Sequence, residues 1–242
     1  MGIRVGLADL EGVVHTKKIV CLANSRKING RSIAGREWNA ETGAGNWVRP
    51  VSARENREVS EYERQYEDGS DPQVLDVIEI PLLEPCPDGY QSENWLLHDG
   101  CYWRKAGMLS RFELGRLVDP VARLWIDGYS THSGVNDKIP LQVAERLTDS
   151  LRLIRVDRVK LSVFAPGEAF GNAKRRVQGR FEHAGSRYAL WITDPGYERN
   201  YLAKLDGTYE LGDCFLTISL GEPFQGDCHK LVAAVIDCGT SR

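Results

Sequence analysis

Hydrophobic and polar residues alternate along most of this chain in short runs, a pattern typical of β-strands. Four such runs fall within the first 85 residues, at 18–24, 30–40, 46–50 and 74–85. The glycine-containing stretch 41–45 predicts a turn, and Pro50 and Pro81 predict where strands end or reach a sheet edge. The first 85 residues therefore predict a small, curled β unit.

The middle of the chain has a different pattern. Ser110 is followed three residues later by Glu113, which is the spacing of a capping box and predicts a short helix. Pro140 predicts the first turn of a second short helix, because apolar residues recur at helical spacing up to Leu147. The segment between them is rich in turn residues. We expect a short helical connector or cap at this point.

Strands resume after Ser150 and are closely spaced. The predicted segments are 151–165, a hairpin at 175–194, 209–224 and 229–237. The hairpin turns at Ala184-Gly185. No helices of roughly 10 to 15 residues alternate with these strands, so a small barrel or sandwich is favoured over a parallel sheet. The predicted fold class is mainly β with minor α.

Length and composition fit a folded protein of one large or two small domains, since 42% of the 242 residues are hydrophobic and 27% are charged. No run approaches the roughly 18 to 20 apolar residues of a membrane helix. Asp9 and Glu11 lie where a secretory signal would have an apolar block. We therefore expect a cytoplasmic protein.

The formal net charge is only −3, but the charges are segregated along the chain. Residues 1–54 hold 9 basic and 4 acidic side chains, and residues 151–187 hold 9 and 3. Between them, residues 55–100 hold 2 basic and 13 acidic side chains. Screening at physiological salt acts over about 8 Å, so separate basic patches can attract a polyanion locally.

The second basic block contains the main candidate for phosphate contact. Its cations are Lys174, Arg175, Arg176 and Arg180. If 174–181 is a strand, Lys174, Arg176 and Arg180 share one face. Phe170 precedes them as a candidate for stacking on a base. The alternative is that these cations pair with the acidic stretch 55–71 of the same chain.

The first basic block extends this candidate surface. Arg26, Lys27 and Arg31 flank a polar turn that could hold a phosphate or could be an ordinary hairpin turn with solvated cations. Trp47 and Arg49 lie two residues apart on one strand face, where an indole could stack on a base beside a guanidinium. The competing interpretation of Trp47 is a core residue.

Signatures of catalysis and of metal sites are missing from the sequence. It has no G-x-S-x-G, G-x-x-x-x-G-K-[ST] or H-E-x-x-H motif, and no G-x-G-x-x-G after a strand. The six cysteines are not in paired C-x₂₋₄-C spacing, and the nearest approaches are His98-x₂-Cys101 and the adjacent Cys228-His229. We therefore expect reduced thiols, no metal site, no cofactor and no enzymatic activity.

Seven strings in the chain are long and distinctive. They are KKIVCLANSRKINGRSIAG (17–35), NWVRPVS (46–52), LDVIEIPLLEPCPDGYQSENW (75–95), SLRLIRVD (150–157), FAPGEAFGNAKRRVQGRF (164–181), YALWITDP (188–195) and SLGEPFQGDCHKLVAAVI (219–236). Together they resemble one family, the bacterial dual OB-containing domain family. The resemblance implies two tandem OB-like barrels and a place in bacterial antiphage systems. It brings no catalytic residues.

With this resemblance the chain divides into an N-terminal extension (1–16), a first OB-like barrel (17–105), a helical connector (106–149) and a second OB-like barrel (150–238). The leading hypothesis is a non-enzymatic module that binds single-stranded or structured nucleic acid, DNA or RNA, as the recognition or adaptor part of an antiviral defence system. One alternative is a protein-interaction module that docks an effector through Glu55–Asp71. Another is a sensor of a nucleotide or small ligand built on the polar-aromatic cluster Gln91–Trp103.

Overall fold

The computed structural model describes residues 14–238, and the chain divides into two compact units, Met1–Leu117 and Val118–Arg242. The boundary lies inside the predicted connector 106–149, so the two parts of that segment belong to different units. Residues 1–13 of the predicted extension lie outside the described residues. Its last two residues, His15 and Thr16, belong to the first strand.

The first unit contains a closed five-stranded barrel. The unit has six strands, of which the first five form the barrel: β1 (His15–Lys27), β2 (Gly30–Asn39), β3 (Gly43–Val51), β4 (Asp76–Pro85), β5 (Asn94–Leu97) and β6 (Arg104–Met108). The sheet order is β1-β2-β3-β5-β4-β6, and an additional pairing of β1 with β4 closes the first five strands. β3 and β5 are parallel, whereas β6 continues antiparallel from β4 outside the barrel.

Short helices complete this unit. Helix α1 (Glu61–Arg64) lies between β3 and β4, and a 3₁₀ helix (Arg111–Leu117) follows β6. A full capping box forms at α1, where Ser60 and Glu63 exchange side-chain and backbone hydrogen bonds. At the predicted box before the 3₁₀ helix, the backbone N–H of Ser110 donates to Glu113 Oε2 at 3.3 Å.

The second unit repeats the order of strand pairing seen in the first. Its elements are β7 (Lys138–Pro140), α2 (Leu141–Ala144), β8 (Leu151–Val156), β9 (Val159–Phe164), β10 (Arg176–His183), β11 (Ser186–Ile192), α3 (Pro195–Leu202), β12 (Gly207–Leu211), β13 (Cys214–Phe224) and β14 (Asp227–Asp237), with a 3₁₀ turn at Glu168–Phe170. The sheet order is β12-β9-β10-β11-β14-β13-β8. β11 and β14 are parallel, as β3 and β5 are. The order from β9 through β10, β11, β14 and β13 ends at β8. Only two residues separate β8 from β9, so the last strand of this series directly precedes the first one in the chain.

Alternation explains both cores. In the first unit Ile19, Cys21, Ile78 and Ile80 face inward from β1 and β4 and are fully buried. The second core is built in the same way from strands such as β9 and β11, each of which contributes every other residue. Burying these apolar side chains between closed or nearly closed sheets is the main stabilising contribution.

The mainly β fold predicted from the pattern is confirmed, and element boundaries differ in detail. The hairpin forms as predicted, with Ala184 and Gly185 at φ 47° and 82° in a two-residue turn. β10 begins at Arg176, so Lys174 and Arg175 lie outside the strand that the sequence extended over them. None of the helices within residues 14–238 is long and apolar enough to span a bilayer.

Candidate functional site

The outer face of β9, β10 and β11 in the second unit carries three of the exposed basic side chains of block 151–187, namely Lys160, Arg180 and Arg187. Val177 and Phe181 of β10 belong to the core, so alternation points Gln178, Arg180 and Glu182 outward. The strand register places Arg180 beside Lys160 of β9 and beside a small residue, Ala189, of β11. The register therefore brings basic side chains of two neighbouring strands together on this face.

A cleft of about 610 Å³ opens on this face, within the size range of ligand sites. Four cations line it: Arg158, Lys160, Arg180 and Arg187. We call this group the cationic cleft. Arg158 lies in the two-residue break between β8 and β9, and Arg187 is the second residue of β11. The one carboxylate in the lining is that of Glu182, which is paired with Arg187 in the strand register.

Most of this positive charge is not neutralised within the unit. Lys160 is the exception, because its ammonium lies 3.3 Å from the Glu210 carboxylate, with both side chains about half exposed. Among residues 14–238, no carboxylate approaches Arg158, Arg180 or Arg187 within ion-pair distance. An exposed group of guanidinium side chains of this kind suits a phosphate or carboxylate ligand, because guanidinium donors match those oxygens in pairs.

An aromatic pair lies farther along the same outer face. The rings of Phe164 and Trp191 are 5.7 Å apart, and the Arg176 guanidinium lies 4.0 Å from the centre of the Trp191 ring. Arg176 is opposite Phe164 in the register, and Gln178 is opposite Trp191. The face thus combines cations with aromatic surface, a combination that also occurs in proteins that bind single-stranded nucleic acid.

Loop 127–137 covers the middle of this face. Alternation points the Gln178 side chain outward, but the loop covers it and it is fully buried. Its amide donates a 2.7 Å hydrogen bond to the Ser133 carbonyl of the loop. Val135 forms an antiparallel bridge with Ala189 through two backbone hydrogen bonds. The loop therefore forms one wall of the cationic cleft, which Val135 lines.

The family model of the dual OB-containing domain matches residues 17–235, which is most of the chain. The chain belongs to the dual OB-containing domain family. This membership agrees with the closed barrel of the first unit and with the same pairing order in the second. A search of curated proteins found no match.

Within the second OB unit, the predicted track of four cations is split. Arg180 lies in the cationic cleft, whereas Arg176 stacks on Trp191. Arg175 is tied down inside its own unit by an ion pair with Asp206 at 2.6 Å and by bonds to the carbonyls of two residues of the α3–β12 region. Lys174 and Phe170 lie before β10, and Phe170 is 83% exposed.

Within the first OB unit, the predicted residues do not form one surface. Arg26, Lys27 and Arg31 flank the two-residue end of the β1–β2 hairpin, with Arg26 opposite Arg31. The hairpin is present, and contact of these cations with a phosphate stays a prediction. Trp47 is half-buried in β3, opposite Arg36.

Arg49 is not at the surface of the first OB unit. It is 5% exposed, its guanidinium forms a 2.9 Å ion pair with buried Glu93, and it donates to the Asn94 side chain at 3.3 Å. The Asn94 amide in turn donates to Gln91 at 3.2 Å. This network ties the β4–β5 loop to β3, so Arg49 and much of the Gln91–Trp103 cluster have a structural role.

Sequence reasoning missed three of the four cleft residues: Arg158, Lys160 and Arg187. The sequence contained a signal for Lys160, because apolar residues flank it in a run already predicted to be a strand. Alternation in that strand places Lys160 on the outward face. What the sequence did not show was the pairing register, which brings Lys160 and Arg180 side by side. That register depends on the whole sheet.

Proposed function

We propose that this protein is a non-enzymatic tandem OB module that binds nucleic acid, single-stranded or structured, through the cationic cleft. The observation that supports the proposal is the convergence of four cations on one outward face of an OB unit, with one carboxylate among them. Phosphates of a bound strand would displace counterions from these side chains, which is the dominant driving force in nucleic-acid binding. The neighbouring Phe164–Trp191 pair supplies aromatic surface for bases.

The test is fluorescence anisotropy with labelled single-stranded DNA, single-stranded RNA and duplex DNA at about 50 and 200 mM salt. We expect binding that weakens steeply with salt. The double variant Arg180→Glu/Arg187→Glu should bind at least about tenfold more weakly, because two phosphate contacts are replaced by repulsion. The control is Arg146→Glu/Arg199→Glu, which makes the same change in net charge at two exposed positions outside the cleft.

Equal loss of affinity in both double variants would show that net charge, and not the cleft, governs binding. Absence of binding by the unmodified protein near 50 mM salt would contradict the proposal, since phosphate contacts are strongest at low salt.

The acidic stretch Glu55–Asp71 favours a second function, the docking of a basic protein partner. Glu55, Glu61, Glu67 and Asp68 are exposed. Deleting the stretch is not a clean test, because Val59 and Tyr66 belong to the barrel core. The substitution Glu61→Lys/Glu67→Lys should release a co-purifying basic partner while nucleic-acid binding persists, and retention of that partner would contradict docking here.

We also propose that the module is the recognition or adaptor part of a bacterial antiviral defence system and acts in the cytoplasm. The support is the family resemblance alone. The test is phage plating on bacteria that carry the native locus with the intact protein or with Arg180→Glu/Arg187→Glu. Loss of protection in the cleft variant, with protection kept by the intact protein, would support the role. If phage plate equally well on bacteria with the intact protein and on bacteria that lack the locus, the role is contradicted.

A further inference from the structure

A second cavity lies in the first unit, at the mouth of the five-stranded barrel. Its volume is about 610 Å³, and it is lined by the start of β1, the end of β2, the start of β3 and Trp95 of β5. Ile19 and Cys21 are core residues of β1, so alternation directs Lys17 toward the same interior. The cavity is therefore the open end of the barrel interior, a common position for small-ligand sites.

The floor of this barrel-mouth pocket is polar and aromatic. Lys17 forms an ion pair with Glu37, and its ammonium lies 4.3 Å from the centre of the Trp95 ring. The His15 and Trp95 rings pack in a T-shaped arrangement at a centroid distance of 5.9 Å. Lys17 and Glu37 place a hydrogen-bond donor and an acceptor side by side at the end of the barrel interior. Apolar side chains at the same two positions would instead extend the hydrophobic core.

A second tryptophan also lines the pocket. It is Trp38, at the end of β2, and the Arg116 guanidinium lies 5.7 Å from its ring centre. Gly45 of β3 is a further lining residue, and a Cβ built there would lie 3.0 Å from Glu37 Cβ and 3.2 Å from its carboxylate oxygen. Glycine at this position lets β3 approach Glu37 closely.

We propose that the barrel-mouth pocket binds a nucleoside phosphate, independently of the cationic cleft. The two indoles offer flat apolar surface for a base, and the Lys17–Glu37 pair offers a donor and an acceptor to its polar edge. Lys18, exposed at the rim, supplies positive charge for the phosphate, and the exposed His15 ring supplies a hydrogen-bonding nitrogen. A sugar phosphate without a base would use only the rim, so the base is the decisive part of the ligand.

The test is isothermal titration calorimetry of the full chain with AMP, GMP, CMP and UMP, and with ribose 5-phosphate as the ligand that lacks a base. We expect saturable binding of at least one mononucleotide and much weaker binding of ribose 5-phosphate. Trp38→Ala should weaken that binding by about 5-fold to 150-fold, the range for loss of one base–aromatic stack. Trp125→Ala, which removes a half-buried indole from the second unit, is the matched control and should bind normally.

Glu37→Gln provides a second variant that keeps the side-chain volume and removes only the charged acceptor. It should change the order of preference among the four bases. Saturable binding that survives both Trp38→Ala and Glu37→Gln unchanged would overturn the proposal, and so would the absence of saturable binding of all four mononucleotides at millimolar concentration. The variant Arg180→Glu/Arg187→Glu separates the two sites, because it should lose oligonucleotide binding and keep mononucleotide binding.

Discussion

At the scale of single residues, burial separates structural charges from those available to a ligand. Arg49 and Arg180 have the same side chain, but Arg49 is enclosed with Glu93 and Arg180 is exposed at the cleft. Lys230 is a third case, a lysine with a fully buried side chain that donates to the Ile126 carbonyl at 2.6 Å. Buried ionic groups of this kind respond strongly to substitution.

Arg49→Met should lower the free energy of unfolding by about 3 kcal/mol, because it leaves the Glu93 carboxylate buried without its guanidinium partner. The double variant Arg49→Met/Glu93→Leu should recover most of that loss. Urea denaturation of the unmodified protein, of the single variants Arg49→Met and Glu93→Leu, and of the double variant measures the coupling energy between the two side chains. Additive losses would show that the pair contributes no coupling energy.

Lys230 should give the protein a distinctive pH dependence of stability. Burial lowers the pKa of its ammonium from 10.5 to about 8, opposed by the nearby Asp127 carboxylate. Between these two values the unfolded chain holds the additional proton, so the free energy of unfolding should rise with pH from about 8 to 10.5. Below pH 8 both states are protonated and this slope disappears.

The measurement is chemical denaturation between pH 7 and pH 10.5 of the unmodified protein and of Lys230→Met. The variant lacks the titrating group, so the difference in stability between the two proteins should shift in favour of the unmodified chain as pH rises. Parallel pH profiles would contradict the assignment of this slope to Lys230.

At the scale of elements, the face of the β10–β11 hairpin is shared between a ligand cleft and loop 127–137. Gln178 joins the two, because its buried amide holds the Ser133 carbonyl. Asp127 anchors the other end of the loop by accepting bonds from the hydroxyls of Ser186 and Tyr188, each at 2.9 Å. The cleft wall is therefore held by side-chain hydrogen bonds and by the single backbone bridge of Val135 with Ala189, and not by a continuous strand pairing.

Gln178→Ala should loosen loop 127–137 without unfolding the barrel. We expect faster amide hydrogen exchange at the Val135 and Ala189 bridge and a loss of about 1–2 kcal/mol in the free energy of unfolding, since the Ser133 carbonyl loses its donor. The control is Ser162→Ala, at the neighbouring position of β9 in the register. Equal exchange in both variants would mean that Gln178 does not hold the loop.

At the scale of the whole molecule, a chain of net charge −3 can still bind a polyanion because its charges are segregated. Screening over about 8 Å lets the cationic cleft act locally. The acidic stretch 55–71 is in part neutralised by its own cations, as in the 2.7 Å pair of Arg64 with Asp71. The average composition is thus a poor guide to the ligand.

The salt dependence of oligonucleotide binding should count the cations involved. For single strands each phosphate contact contributes about −0.7 to the slope of log K against log salt, so Arg180→Gln should make the slope shallower by roughly that amount. Arg49→Gln should leave the slope unchanged, because its guanidinium is buried with Glu93. A shallower slope in Arg49→Gln would contradict this division of the two arginines.

The sequence by itself determined the mainly β class, the hairpin at Ala184-Gly185 and the family, because alternation, turn chemistry and distinctive strings are local. It also placed Arg180 on an outward face. Only the tertiary structure decided that Arg158, Lys160 and Arg187 join Arg180 and that Arg49 turns inward to Glu93. It also decided that Lys17, Glu37 and two indoles meet at a barrel mouth. Strand register and barrel closure bring together residues that are distant in sequence, and both depend on the whole sheet and not on any one segment.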